Sequence, residues 1–287
     1  MGHAGRKFID LIRQSTAKWA NWDPPIPIQV GAYGRLNTET GELDIEGNIY
    51  DPEFQVLLDK VDGALKLADF PAQIGAVEGD FIVCTMGVRQ NDLRIDEEIN
   101  VAGLSQASIK GEWHFQRGKR GALLIMHNPR QEYIPRGRVL ETMYKVPELK
   151  DMHIVTSVFK CPAYIIYLSD KGGEKISLAL TPSENETEPQ QWWSDTNISL
   201  LRKGQHRDYI FTPLYGLKRK LPLIRRLLRD SPVPDPEGDD FWVDVHVPWD
   251  PLDEDGEEDY SLGDSDSDDG WAANPEKQEE AVETDST

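Results

Sequence analysis

Few side chains in this sequence are spaced for covalent chemistry. Its six histidines are scattered, and none stands at the i, i+4 spacing that puts two imidazoles on one helix face. His127 and His153 fall in strand-like contexts that suit a structural histidine. There is no nucleophile elbow, HExxH, P-loop or dinucleotide fingerprint. Cys84 and Cys161 are the only cysteines, so there is neither a disulfide framework nor a clustered metal site, and no cofactor is implied. Both are expected as free thiols in a reducing compartment, which makes the sequons at Asn185 and Asn197 fortuitous. The carboxylates crowd towards the C-terminus, too many and too flexible for a preorganised acid–base pair. Nothing here argues for an enzyme. The chemistry these residue types do suggest is electrostatic recognition.

That chemistry is concentrated in RKFIDLIRQSTAKWANW, residues 6–22. On a helical wheel Leu11, Ile12, Trp19 and Trp22 fall within about 60° of Phe8, with Ile9 on the flank. Arg6, Lys7, Arg13 and Lys18 lie opposite, with Asp10 among them. The spacing predicts an amphipathic helix ended by Asp23-Pro24-Pro25, because a residue before proline is pushed out of the helical region. Several uses fit it. The apolar stripe can pack on a sheet and leave solvated cations outside. The cations can meet anionic headgroups while Trp19 and Trp22 sit at the interface, each cation near such a surface contributing about 1 kcal/mol. A calmodulin-type partner could take the same helix. Nucleic-acid phosphates would also suit the charge, but no RNP-like motif or zinc spacing supports that partner.

A second basic stretch, LKRKLPLIRRLLRD (217–230), keeps Leu217, Leu221, Ile224 and Leu228 at helical spacing. Lys218, Arg219, Lys220, Arg225, Arg226 and Arg229 surround them, and Pro222 must kink the helix or restart it. Just beyond, the composition changes. Residues 230–287 hold 22 Asp or Glu and one Lys, net −21; residues 1–229 hold 29 acidic and 30 basic residues, net +1. The protein's charge of −20 is therefore a neutral body with an anionic tail. Low hydrophobicity and high charge predict disorder over 250–287, with 231–240 as a linker. FWVDVHVPW (241–249) is the aromatic, β-prone exception, expected to dock on something. A tail folded back over the basic helices would mask them from an anionic surface; a merely solubilising tail is the other reading.

The elements between these ends read as strands with a few helices. At 38% apolar the chain can bury a core, and no run approaches the roughly 18–20 apolar residues of a membrane-spanning helix. The N-terminus lacks the apolar region of a secretory signal, so the protein is expected in the cytoplasm when made. Residues 26–50 form a long hairpin, 52–67 a short helix, and 80–88, 98–116 and 121–129 strands. A short helix is expected at 138–145. Residues 152–170 are one β-rich run in which Pro162 argues against continuous pairing, followed by a strand at 174–180, a polar loop at 183–191 and a last strand pair in 196–216.

This order of elements resembles the pore-forming domain of gasdermins over about residues 3–229. VAGLSQASIKGE (101–112) looks like the family's small-residue strand connection, and HIVTSVFK (153–160) its VVT-plus-hydrophobic strand. With NWDPPIPIQVGAYGRLN (21–37), the chain is most similar to the short fungal members of the heterokaryon-incompatibility class. The resemblance implies an α+β domain over 1–229, with a twisted antiparallel sheet and peripheral amphipathic helices. The acidic tail at 230–287 would be its inhibitor.

The function the resemblance implies is a latent protein that is cytoplasmic until activated. It then binds acidic phospholipid at the cell membrane, oligomerises with its own kind or a variant partner, and inserts β-hairpins to permeabilise the membrane and kill the cell. Arg6, Lys7, Arg13 and Lys18 match the family's first lipid-contacting helix. The candidate membrane strands are 80–88 with 121–129, and 152–168 with 205–217. On 152–160, Met152, Ile154, Thr156, Val158 and Lys160 are expected on one face, opposite His153, Val155, Ser157 and Phe159. The departure is at the C-terminus, where some 58 residues replace the folded inhibitory domain of animal members, too few for an independent core. Exposed 184–193 and 231–240 would suit an activating protease. The alternative is a soluble regulator whose basic helices bind its own tail or a protein partner.

Overall fold

The computed structural model describes residues 2–61, 65–91, 109–135, 137–181, 191–194, 200–221 and 241–259. In chain order the helix α1 spans Gly2–Thr16, followed by β1 (Trp19–Ala20), β2 (Ala32–Leu36), β3 (Leu43–Asn48) and α2 (Pro52–Asp59). Then come β4 (Gln73–Val77), β5 (Phe81–Cys84), β6 (Val88–Asn91), β7 (Ile109–Phe115), β8 (Ala122–His127), β9 (Arg130–Tyr133) and α3 (Arg138–Tyr144). The chain continues through β10 (His153–Cys161), β11 (Ala163–Leu168), β12 (Lys175–Thr181), β13 (Gln191–Ser194), β14 (Leu201–Gln205), β15 (Phe211–Lys220) and β16 (Trp242–Asp244). The fold is α+β, with every strand pairing antiparallel.

Three sheets share the work. The largest runs β1-β15-β10-β2-β3, with β16 also on β15, and β9 on β10 carrying β4. A second sheet, β14-β11-β8-β5, faces a third, β13-β12-β7-β6. Between these two lies a core of Ile109, Trp113, Leu123, Ile125, Ile165 and Tyr167, among others. The other face of the second sheet joins the main core through Leu124, Met126, Tyr164 and Ile166, against Phe8, Ile9 and Ile12 of α1. This double burial explains why β8 (ALLIMH) and β11 (AYIIYL) read as continuous apolar runs with every residue buried. By contrast β7 alternates, Ile109, Gly111, Trp113 and Phe115 inward and Lys110, Glu112 and His114 outward.

The pairings expected for 80–88 with 121–129 and 152–168 with 205–217 are present as β5 on β8 and β10 on β15, but the strands of the last expected pair, β14 and β15, lie in different sheets, on β11 and β10. Pro162 does divide the 152–170 run into two strands in different sheets. The hairpin at 26–50 and the helix at 138–145 are also found, as β2–β3 and α3. Four further expectations are corrected. The first helix stops at Thr16 rather than Trp22, because Ala17 adopts φ +57 and Trp19–Ala20 pairs with Tyr215 and Leu214. Residues 217–220 are the end of β15, not a helix, since pairing with β10 fixes them as extended backbone; 222–230 lie outside the described residues. The helix expected over 52–67 ends at Asp59. Residues 250–259 are folded instead of disordered, closed by an antiparallel bridge between Leu252 and Glu258. The stretches 101–108, 183–190, 231–240 and 260–287 lie outside the described residues.

Candidate functional site

The polar residues that matter gather where the two ends of the chain meet. Residues 241–259 form a strap across α1. Its first part extends the large sheet, β16 pairing Trp242, Val243 and Asp244 with Lys220, Arg219 and Lys218. Trp242 is buried and donates its indole N–H to Leu140 O at 2.9 Å. Val245, Trp249 and Leu252 are also buried, so the docking segment anticipated in 241–249 packs as apolar residues demand. The turn that follows is tied by Asp253, whose carboxylate accepts the N–H groups of Asp255 and Glu257 at 2.8 and 2.9 Å. Gly256, at φ +87, lies directly over the His3 carbonyl, where a side chain would collide.

This strap closes over the cations of α1. Arg6 and Lys7 are each only 6% exposed. Arg6 donates to Thr38 O at 2.9 Å and Gly256 O at 3.2 Å, and pairs with Glu258 at 3.3 Å. Lys7 donates to Leu252 O at 3.1 Å, and Arg13 donates to Val245 O. Main-chain carbonyls, more than carboxylates, therefore satisfy the buried charge. Aromatic faces help. Trp19 and Trp249 meet edge to face at 6.0 Å, with the Arg6 guanidinium 5.6 Å from the Trp249 ring and that of Arg13 5.6 Å from Trp19. Trp22 stacks against Phe8 at 5.1 Å and lies under Arg202. Burial pushes the Asp10 carboxyl up, against the opposing pull of Lys7.

The same turn reaches a second pair of loops. Glu254 accepts the Arg120 N–H at 2.7 Å, and Asp255 pairs with Lys171 at 2.8 Å and Arg120 at 3.6 Å. The strap thus joins α1 to the β7–β8 and β11–β12 turns of the two-sheet body. Between it, α1 and Met86 lies a cavity of about 500 Å³.

Lys18 and Lys218, far apart in sequence, come together elsewhere. They line a cavity of about 730 Å³ with Tyr133, Thr156, Ser157 and Asp244. A β-bulge falls between Val155 and Ser157 at its wall. Thr156 and Ser157, expected on opposite faces of a regular strand, both line this cavity. A methyl on Gly216 would lie 2.5 Å from Ser157 Oγ, 3.5 Å from Thr156 Oγ1 and 3.8 Å from Lys18 Nζ. The missing side chain is what lets those three polar atoms converge.

Of the other sequence-selected cations, Lys220 donates to Val146 O and lies 5.6 Å from the Tyr144 ring; burial pulls its pKa down to about 8. Arg219 is exposed. Arg225, Arg226 and Arg229 lie outside the described residues. The sequence did not single out Leu252, Gly256, Glu258, Thr156 or Ser157. Only the aromatic content of 241–249 signalled the strap, and a bulge leaves no residue signature. Among the described residues, no helix is long and apolar enough to cross a membrane.

No protein-family model and no curated protein matches the chain. Among solved structures, it is similar to a bacterial gasdermin from Bradyrhizobium tropiciagri at 11% identity, covering 76% of this chain and 82% of that one, with a TM-score of 0.27. Overlap that loose fixes neither a shared topology nor a shared activity.

Proposed function

We propose that the protein is a latent membrane-permeabilising protein, cytoplasmic at rest, whose C-terminal strap holds its basic N-terminal helix out of contact with acidic phospholipid. Release of the strap exposes Arg6, Lys7 and Arg13, with Lys18, Trp19 and Trp22 beside them. The freed body then docks on the anionic face of the cell membrane, oligomerises and inserts strands, ending in cell death. One observation carries this reading: the cations on α1 that suit an anionic surface are covered by a segment of eight acidic residues with no lysine or arginine, residues 241–259. The gasdermin resemblance of the sequence supports the membrane step and the absence of an enzymatic one. The fungal heterokaryon-incompatibility class supplies two triggers, proteolysis near 231–240 or assembly with a variant partner.

The test inserts a specific protease site between residues 231 and 240 and compares intact and cut protein on dye-loaded vesicles containing acidic phospholipid. Cut protein is expected to bind and leak dye while intact protein does neither; equal leakage from both removes the strap from the mechanism. A second reading, a soluble regulator whose helix binds its own tail or a protein partner, draws on the same contacts. It predicts that cut protein stays off vesicles and binds an added peptide of residues 241–259.

A further inference from the structure

The cavity of about 500 Å³ between α1, the strap and the β5–β6 turn has polar atoms in its wall residues that the docked strap leaves unmet. Two of those residues, Arg120 and Trp249, each bury an N–H donor with no partner among the described residues, at Arg120 Nε and Trp249 Nε1. The Arg120 guanidinium reaches Asp255 only through a terminal nitrogen, at 3.6 Å. Trp249 is 7% exposed, and the end of its indole away from the N–H is fixed under Gly41, where a methyl would lie 3.0 Å from Cη2. Buried donors are rarely left unpaired, so two on one cavity mark a place for an acceptor. The rest of the wall selects its kind. Leu11, Met86, Val247 and Leu252 make it mainly apolar. Lys7, Lys119 and Arg120 are balanced by Asp10, Asp250 and Glu254, so the site favours neither sign of charge. The Lys7 ammonium is already taken by Leu252 O, and the Glu254 carboxylate by the Arg120 backbone N–H. The buried atoms left unmet are donors alone, in apolar surroundings, which suits a carbonyl oxygen on an uncharged body.

We propose that this cavity binds an uncharged, largely apolar carbonyl compound, and that the bound molecule holds the strap down. The coupling follows from which segments build the wall. α1 contributes Lys7, Asp10, Leu11 and Gln14, and the β7–β8 turn contributes Lys119 and Arg120. The strap supplies Val247, Leu252 and Trp249, and with Trp249 one of the two donors. Undocking takes that donor and much of the apolar wall away, so the ligand binds the docked state more tightly. By reciprocity, its binding stabilises docking by the same factor. The site itself stands on the cavity and its two donors. Its consequence, delayed release of α1, rests on the function proposed above.

Full-length protein, isotope-labelled at its indole nitrogens, is titrated with acetophenone. Cumene, a hydrocarbon of similar shape without the oxygen, and benzoate, an anion of similar shape, are the controls. The indole N–H resonance that Trp249→Phe removes should move saturably with acetophenone, and both controls should bind about tenfold more weakly. Met86→Asp changes a side chain that is 90% exposed and puts a charge in the apolar wall, so it should weaken acetophenone several-fold. Calorimetry on unlabelled protein measures the same affinities without the Trp249 variant. No saturable binding, cumene or benzoate binding as tightly as acetophenone, or binding indifferent to Met86→Asp overturns the site. Hydrogen exchange reads the coupling at two amides that the docked strap protects. The Arg120 N–H bonds Glu254 of the strap, and the Val245 N–H of the strap bonds Leu217 O. Both should slow about tenfold at ten times the dissociation constant of acetophenone; exchange unchanged at saturation overturns the coupling. None of these measurements involves a membrane. Equal leakage by intact and cut protein would therefore remove the strap from the proposed function without touching the site, and failure here would leave that function standing.

Discussion

Arg6 shows why the basic face of α1 can be both buried and releasable. Its guanidinium makes two carbonyl hydrogen bonds and one ion pair, yet its Nε has no partner. Arg13 Nε and the indole N–H groups of Trp19 and Trp249 are also buried without one. Each orphaned donor costs about 1–3 kcal/mol, so the polar part of the contact is close to neutral and apolar packing holds the strap. Arg6→Met alone would strand Glu258 and two carbonyls, so the fair test replaces both charges: Arg6→Met with Glu258→Met should shift the unfolding free energy by no more than about 1 kcal/mol in denaturant melts. A much larger loss would mean that the charge holds the strap. Lys220 yields a pH prediction. Its folded pKa is depressed to about 8 from 10.5 by burial, so the folded state binds fewer protons than the unfolded across that interval. Its own contribution to stability should rise as pH climbs from about 8 to 10.5 and level off below 8, against an opposing loss from Cys161 and the buried tyrosines, whose pKa values burial raises. In Lys220→Met this rise should be absent; an identical alkaline profile in both proteins would contradict the assignment.

Among the elements, the strap depends on Trp242. It sits 3% exposed at the junction of β16 and α3, with its N–H on Leu140 O. Trp242→Ala should cost about 3–5 kcal/mol if the strap unfolds with the body. If the strap opens on its own, the melt should move less, while hydrogen exchange at Val243–Val245 rises towards the unprotected rate. Either way, loss of Trp242 should mimic release in the vesicle assay. How far such an element can be read from sequence varies. The aromatic run 241–249 and the proline break at 162 were legible because burial and a missing donor act locally. The ends of α1 and the state of 217–220 were not. There helical spacing and strand pairing competed, and β15, anchored between β10 and β1, won through contacts with residues distant in sequence. The Thr156 bulge was invisible for the same reason. The continuous apolar faces of β8 and β11 carry a further consequence. In a barrel they would turn apolar side chains to the lumen, whereas alternating β7 already separates a wet face from a dry one.

At the scale of the whole molecule two electrostatic interactions of different kinds coexist, and salt separates them. Strap docking relies on buried carbonyls, the edge-to-face Trp19–Trp249 contact and β16 pairing, none of which ions reach readily. Docking of the released body on an anionic bilayer would rely on solvent-facing cations, whose attraction fades over a screening length of about 10 Å at 0.1 M salt and 3 Å at 1 M. The intact chain adds a repulsive term, since residues 230–287 carry a net charge of −21 while the rest of the chain is net +1. Raising salt should therefore leave the strap in place and also lift cut protein from vesicles. Exchange at the β16 amides should be flat between about 0.05 and 1 M salt, while co-sedimentation of cut protein with acidic vesicles falls steeply over the same range. If salt alone freed the strap and set intact protein leaking vesicles, the latch would be charge attraction between tail and body. The carbonyl and aromatic contacts on α1 would then be passengers of that attraction.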